Sequence, residues 1–430
     1  MPNLGIKQTN TNYQSENGTY CTDAENINIE ETGVIQTRPA WHKISDIAFK
    51  QLYHSKRFNE LICIKDGKIY KIKQNGFQNP LHGNHSNILN DKGIFNNVNH
   101  LETKNALMVS KIEELETKNG LKIDIGNQDK LYFIDLPREI LVSTRYGLIG
   151  YNGLHLKRYS IEAPHAPFII TDNMGSLTQG DYHIGISYIY DGGKESPLSR
   201  VTRINISDNS RITLTYSTDS EQRAEQIRLY MSEPNGGVLR KVGDYPADKT
   251  QIQISVNPTL GRLCEFQHKS PMIGGKYLTV AHGRLYIAQS NRLIWSETMA
   301  YHLTDLRHNW LALPERITFI IAVNSGLWIG QRTGVLFLSG TNPTEWQIRK
   351  TAALAPIEGS ATLADSSTLP SELTQGGACA VWLSSNGYNI GTAGGELINP
   401  QSAVLNRITG DTGNTVACGK RLYTAVYQAG

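Results

Sequence analysis

The sequence predicts an all-β fold, a β-propeller interrupted by a smaller β-sandwich, and three observations carry that reading. Short apolar runs recur in pairs around tight, glycine-containing turns. The pairs are spaced like propeller blades. One interval between pairs is far too long for a blade and has a strand grammar of its own.

The first pair is Leu61–Ile64, which turns at Asp66-Gly67 into Ile69–Ile72, and an Asp-Gly step suits the two positive φ angles of a type I′ hairpin. Asn105–Val109 and Gly120–Ile123 make a looser pair, with the polar run Glu113–Lys118 as a long turn. Ile140–Ser143 turns at Arg145-Tyr146-Gly147 into Leu148–Tyr151. Leu285–Ala288 pairs with Leu293–Ser296, Leu327–Gly330 with Val335–Leu338, and Val381–Ser384 with Tyr388–Gly391 through Asn386-Gly387. Between Leu61, Leu107, Leu141, Leu285, Leu327 and Val381 the intervals are 46, 34, 144, 42 and 54 residues. All but the third lie near the roughly 40–50 residues of a four-stranded blade. A series of β-sandwiches would give hairpins at a similar spacing and stands as the alternative architecture. Blades stacked face to face put alternate strand residues between them, so Leu285, Trp295, Leu327, Trp328 and Trp382 are expected core residues.

The long interval holds the sandwich. It follows the proline-flanked stretch Ala163–Pro167 with the alternating run Leu177–Tyr190, expected as one strand, and the turn Asp191–Ser199. Further strands are expected at Thr202–Ile206, Ile212–Tyr216, Gln226–Ser232 and Gln251–Ser255, with one helical turn at Thr218–Ala224. The expected division is therefore 1–163 for the first blades, 164–258 for the inserted unit and 259–430 for the remaining blades. Residues 74–100 and 356–376 are polar and read as long loops, where a rigid β scaffold commonly makes its contacts.

Composition excludes several classes. Forty-two basic against 39 acidic residues leave a net charge of +3, so no global field demands a nucleic acid or a membrane. No window approaches the about 18 consecutive apolar residues of a spanning helix; the longest run, Ala378–Leu383, is strand-sized. Met1–Gly5 has neither a basic cluster nor an apolar stretch, so no secretory signal is expected. Cys21, Cys63, Cys264, Cys379 and Cys418 are odd in number and far apart, which predicts free thiols in half-buried strands and a reducing compartment.

No enzyme constellation emerges: the chain has no phosphate-binding glycine loop, no zinc-protease helix, no nucleophile elbow and no EF-hand. His82 and His85, near His100, lack carboxylate or thiolate company and read as solvated loop residues. Lys122–Asp129 has the flavour of a calcium loop without its alternating acids, and reads as a strand end and turn. No catalytic, cofactor-binding or metal residue is assigned, and no cofactor is expected. Lys65, Lys68, Lys71 and Lys73 are interleaved with apolar residues along one hairpin, and several could share a solvated face.

Three segments reach beyond generic β grammar. In Asp23–Ala40, Asn26–Glu30 and Val34–Thr37 read as two strands joined at Gly33, and Arg38-Pro39 ends the pairing because proline lacks the donor. This segment, with its A-x-N…G…R-P pattern at Ala24, Asn26, Gly33, Arg38 and Pro39, resembles the opening hairpin of phage virion propeller proteins. Gly283–Glu297 and Ala380–Asn399 resemble later blades of the same proteins. Within the insertion, Gly180–Tyr190, Glu195–Ser199 and Ile227–Ser232 resemble a fibronectin type III module. Taken in order, the resemblance is to tail nozzle or tail hub proteins of short-tailed bacteriophages, including the head closure type that stabilises packaged DNA. It implies a non-catalytic virion protein, assembled in the bacterial host cytoplasm. It implies a homo-oligomeric ring, usually a hexamer, below the portal and adaptor, which retains double-stranded DNA, conducts it at ejection and supports tail fibres or tailspikes. A near-neutral chain suits a conduit through which DNA must slide. The alternatives are a receptor- or glycan-binding propeller at the tail tip and, further off, a polysaccharide hydrolase.

Overall fold

A computed structural model describes residues 50–73, 111–117, 125, 130–219, 224–365, 368–369, 371–374, 377–401, 408–418 and 421–428, and in addition the strand backbones Asn3–Ile6, Gln14–Ser15, Gly18–Cys21, Ile27–Ile29 and Ile35–Thr37. The chain is all-β and built from many antiparallel sheets. Ile27–Ile29 and Ile35–Thr37 pair antiparallel, as the opening-hairpin pattern predicts.

Among the described residues five sheets share one plan, four strands in chain order, though in the third the short strand Leu303–Thr304 intervenes and pairs with Ser270–Pro271 instead. The first sheet runs Gln51–Ser55, Glu60–Lys65, Lys68–Lys73, Lys111–Glu114 and the second Tyr132–Asp135, Ile140–Thr144, Gly147–Tyr151, Leu156–Arg158. The third is Lys276–Ala281, Arg284–Gln289, Arg292–Trp295, Trp310–Ala312, the fourth Ile317–Val323, Gly326–Gln331, Val335–Ser339, Gln347–Lys350, and the fifth Thr362–Ala364, Cys379–Ser384, Gly387–Gly391, Leu397–Ile398. A two-stranded hairpin, Thr412–Cys418 with Arg421–Tyr427, follows. Short loops enforce this order: Asp66 (φ 49°) and Gly67 (φ 71°) form the two-residue turn that the Asp-Gly step predicts, and His282-Gly283 repeats it at 49° and 72°.

The second to fifth sheets use both faces. Ile62, Ile64 and Ile69 of the first pack with Ile140, Val142 and Ile149 of the second. The opposite face of the second, Leu141 and Leu148, meets Leu285, Ile287 and Ile294 of the third. Trp295 of the third packs with Leu327 and Ile329 of the fourth, and Trp328 and Phe337 of the fourth pack with Trp382 of the fifth. Leu285, Trp295, Leu327, Trp328 and Trp382 thus all lie buried between successive sheets. The fit is close: a Cβ on Gly391 would stand 2.4 Å from the Trp328 ring.

Between the second and third sheets the chain forms two further sheets. Phe168–Leu177, Ser210–Thr215 and Gln251–Ile254 make one; Gly180–Tyr190 with Lys194–Glu195, Thr202–Ile206, Gln226–Met231 and Arg240–Pro246 makes the other. Their inner residues, among them Ile212 and Ile252 against Ile184 and Leu229, share one core.

Several expectations change. The run Leu177–Tyr190 is not one strand: Leu177 ends the preceding strand, Thr178 and Gln179 turn, and Gly180–Tyr190 enters the other sheet. Glu113 and Glu114, expected in a long turn, belong to the fourth strand of the first sheet; the flanking 105–110 and 120–123 lie outside the described residues. The stretch 356–376 carries Thr362–Ala364 and a helical turn, Ser371–Thr374. Thr218 and Asp219 are non-helical, and 220–223 fall outside the described residues. Cys63 and Cys379 are fully buried in strands and Cys264 is half-buried off any strand; the side chains of Cys21 and Cys418 are not described.

Candidate functional site

The histidines at 82, 85 and 100 and the stretch 122–129 lie outside the described residues, save Ile125, which is buried. Among the described residues no group of three or more His, Cys, Asp or Glu is placed to hold a metal. Burial pushes the Cys63 and Cys264 thiols up to about 11, which keeps them protonated and poorly nucleophilic at neutral pH. The lysine hairpin does not form one basic face. Lys68 and Lys71 lie three residues apart on one strand and so point to opposite faces; Lys68 pairs with Glu114 at 2.9 Å, and Lys71 stands opposite Glu113.

Two polar clusters are instead assembled by the fold. The first joins the inserted sheets to their neighbours. Glu195 is 4% exposed, and its Oε1 accepts from Ser187 Oγ at 2.7 Å and Tyr230 Oη at 2.6 Å. Its Oε2 accepts from Arg228 at 2.5 Å and, more distantly, from Arg262 at 3.5 Å. The Glu-Ser-Pro-x-Ser pattern has a local cause, because the Ser196 and Ser199 hydroxyls accept from the Tyr188 and Ile186 amides. Lys194 reaches Glu139 of the second sheet at 3.1 Å, beside Lys157 at 3.0 Å, with its ammonium over the Tyr159 ring. His302, on the connection within the third sheet, meets the Glu195 carbonyl at 3.0 Å; burial drives its pKa down to about 4, so it is neutral at pH 7. Both carboxylates are nearly buried and their partners come from different sheets, so the cluster ties the inserted sheets to the second and third sheets and is a joint.

The second cluster lies where the first strands begin. These strands stand side by side: Gln51 exchanges hydrogen bonds with the Leu131 backbone at 2.7 and 2.8 Å, Ser55 Oγ donates to Asp135 at 2.9 Å, and the Thr279 hydroxyl accepts from the Ala322 amide. Gln51 meets Leu131 and Ser55 meets Asp135, four residues on in each strand, so the first two of these strands run the same way. A basic residue sits at the head of four of them: Lys50, Lys130, Lys276 and Arg316. One carboxylate, Glu358, enters the group from ahead of the fifth sheet. It pairs with Arg316 at 2.5 Å and Lys276 at 3.9 Å and accepts the Tyr277 hydroxyl hydrogen. Tyr132 packs edge-on against Tyr277, with ring centroids 5.0 Å apart, and Lys130 stands 5.9 Å above Tyr132.

The electrostatics at this end are crowded. Partial burial lowers the Lys130 pKa, Glu358 opposes that shift and Lys276 adds to it. Burial pushes Tyr132 up to about 12, and Tyr277 higher still through burial, Tyr132 and the bond to Glu358. Beside the cluster, a groove of about 690 Å³ runs between the fourth sheet and the last hairpin, lined by Arg316, Arg332, Thr333, Glu358, Thr409 and Asp411 among others. None of these cations stands out in sequence, because they are separated by up to 266 residues and belong to no motif; only their shared place at strand starts connects them.

No protein-family model matches the chain, and no curated protein sequence does. Solved structures give weak likenesses. The extracellular domain of the hybrid two-component system BT4673 from B. thetaiotaomicron has a TM-score of 0.31 and 10% identity, over 87% of this chain and 40% of that one. BBS1N in complex with ARL6DN has 0.30 and 10%, over 87% and 88%. The CNH domain of AfRom2 has 0.28 and 10%, over 88% and 90%. The chain spans well under half of the first of these. Likenesses at this level carry no argument about fold or function.

Proposed function

We propose that the chain is a β-propeller carrying an inserted fibronectin type III-like sandwich and serves as a non-catalytic tail nozzle or hub protein of a short-tailed phage. The supporting observation is the order of units: an opening hairpin, two four-stranded meanders, a pair of facing sheets, then three more meanders, each packed on the last. Sheets stacked face to face with their first strands side by side support this reading, because blades around an axis require that arrangement. The inserted unit occupies the 164–258 region, and its backbone pairing continues past it, as Cys264 donates to Leu239 and Leu198 to Phe266. In this reading the propeller builds the wall of a homo-oligomeric ring, a hexamer under the portal and adaptor, which retains double-stranded DNA. The inserted unit faces outward and supports fibres.

Electron microscopy of the purified protein, alone and with portal and adaptor proteins, tests this reading. Closed rings that dock on the adaptor are expected; a stable monomer with no affinity for either partner overturns it. Binding on a glycan array would favour a receptor-binding propeller instead. Turnover of bacterial surface polysaccharide, lost on a single Asp or Glu substitution, would favour a hydrolase.

A further inference from the structure

We propose that the shared end of the first strands is an oxyanion site that takes a phosphate group, with Lys130, Lys276 and Arg316 as its cations and Glu358 as a built-in competitor. The inference is independent of the virion reading.

Three observations converge. Lys130, Lys276 and Arg316 come from three different sheets, yet all interact with one carboxylate, so the cluster holds a surplus of two positive charges. Their heads are in reach of solvent: Lys276 and Arg316 side chains are 55% and 46% exposed while Glu358 is 23% exposed. Lys130 Nζ comes within 3.6 Å of where a Cβ on Gly359 would stand, which brings it to the same edge. The backbone is also distorted here and not elsewhere on that strand: pairing slips between Lys276 and Thr279, and Tyr277 adopts φ 57°, a conformation costly for a bulky residue. Such a bulge re-aims a side chain, and the one re-aimed is the tyrosine that donates to Glu358.

A surplus of two charges is neutralised by a dianion, whereas a carboxylate would leave one unmatched. Donors that converge from separate strands suit a tetrahedral group with oxygens on several sides, and Arg316 can supply two parallel N–H groups to it. The ligand displaces Glu358 from at least one cation, so the carboxylate limits affinity while the site is empty and keeps the cations from repelling one another.

Isothermal titration calorimetry on the full chain tests this, with inorganic phosphate, pyrophosphate and AMP as probes, sulfate as a competing tetrahedral dianion and chloride as the control. Phosphate or AMP binding is expected. Lys276→Met and Lys130→Met should each weaken it about five- to tenfold, and Glu358→Gln, which keeps an acceptor for Tyr277, should tighten it. Phosphate binding alone would identify a free ion as the ligand, and tighter AMP binding a phosphomonoester. Absence of heat with every phosphate probe at millimolar concentration overturns the proposal, as does binding that the lysine substitutions leave unchanged or that Glu358→Gln weakens. Binding of a DNA duplex without phosphate or AMP binding would also overturn it, since the site would then be an extended surface. Unchanged thermal unfolding of each variant separates loss of ligand from loss of fold.

Discussion

At the scale of single residues, buried polar groups decide more than exposed ones. Glu195 has four side-chain donors around it. Glu195→Ala would leave the Tyr230 and Ser187 hydroxyls without their acceptor and reduce Arg228 to its pair with Asp244, and a loss of about 1–3 kcal/mol in urea unfolding is expected. Glu195→Gln should lose less, because it still accepts from Tyr230. His302 gives a pH signature whose sign follows from burial. The unfolded chain takes up a proton near 6.5 but the folded chain only near 4, so acid favours unfolding. The contribution is complete above pH 6.5 and is lost as pH falls towards 4, a range worth on the order of 3 kcal/mol. Subtracting the stability–pH curve of His302→Asn from that of the wild type should expose this slope; parallel curves would mean the imidazole is not protected.

Elements succeed or fail as sequence signals according to how much of their surface is apolar. Both strands of the hairpins Ile140–Tyr151, Gly326–Ser339 and Cys379–Gly391 are nearly all buried, so their apolar runs are legible. Phe168–Leu177 was not, because Phe168, Ile170 and Met174 face outward among polar residues and only Leu177 is fully buried. Arg240–Pro246 hides for another reason: Lys241 and Asp244 are held in ion pairs, so a charged stretch is still a strand. The phosphate site was invisible, since four strand starts become neighbours only once the sheets stack. Packing between elements is open to a direct test. Gly391→Ala pushes a methyl into the Trp328 ring, and a loss of about 1–3 kcal/mol is expected, with altered tryptophan fluorescence reporting the shift. A neutral result would mean the fourth and fifth sheets can separate by the width of a methyl group at no cost.

The whole molecule divides where its hydrogen bonds allow. The inserted sheets have their own core, and pairing with them ends at Phe266, while Lys269 already belongs to the third sheet through Glu297. Deleting 164–268 across a short linker should therefore leave a cooperatively folding β domain, of reduced stability because Glu139 loses Lys194. Calorimetry that shows no transition would place structural dependence across this boundary rather than within each part.

The joint between the inserted unit and its neighbours has a mechanical consequence. Lys194 grips the second sheet through Glu139, and the very next residue grips the third through His302. A unit attached only by its two chain ends could swing; one riveted to two adjoining sheets acts as a bracket across the seam between them. A sideways pull on it is shared by both sheets through these two contacts.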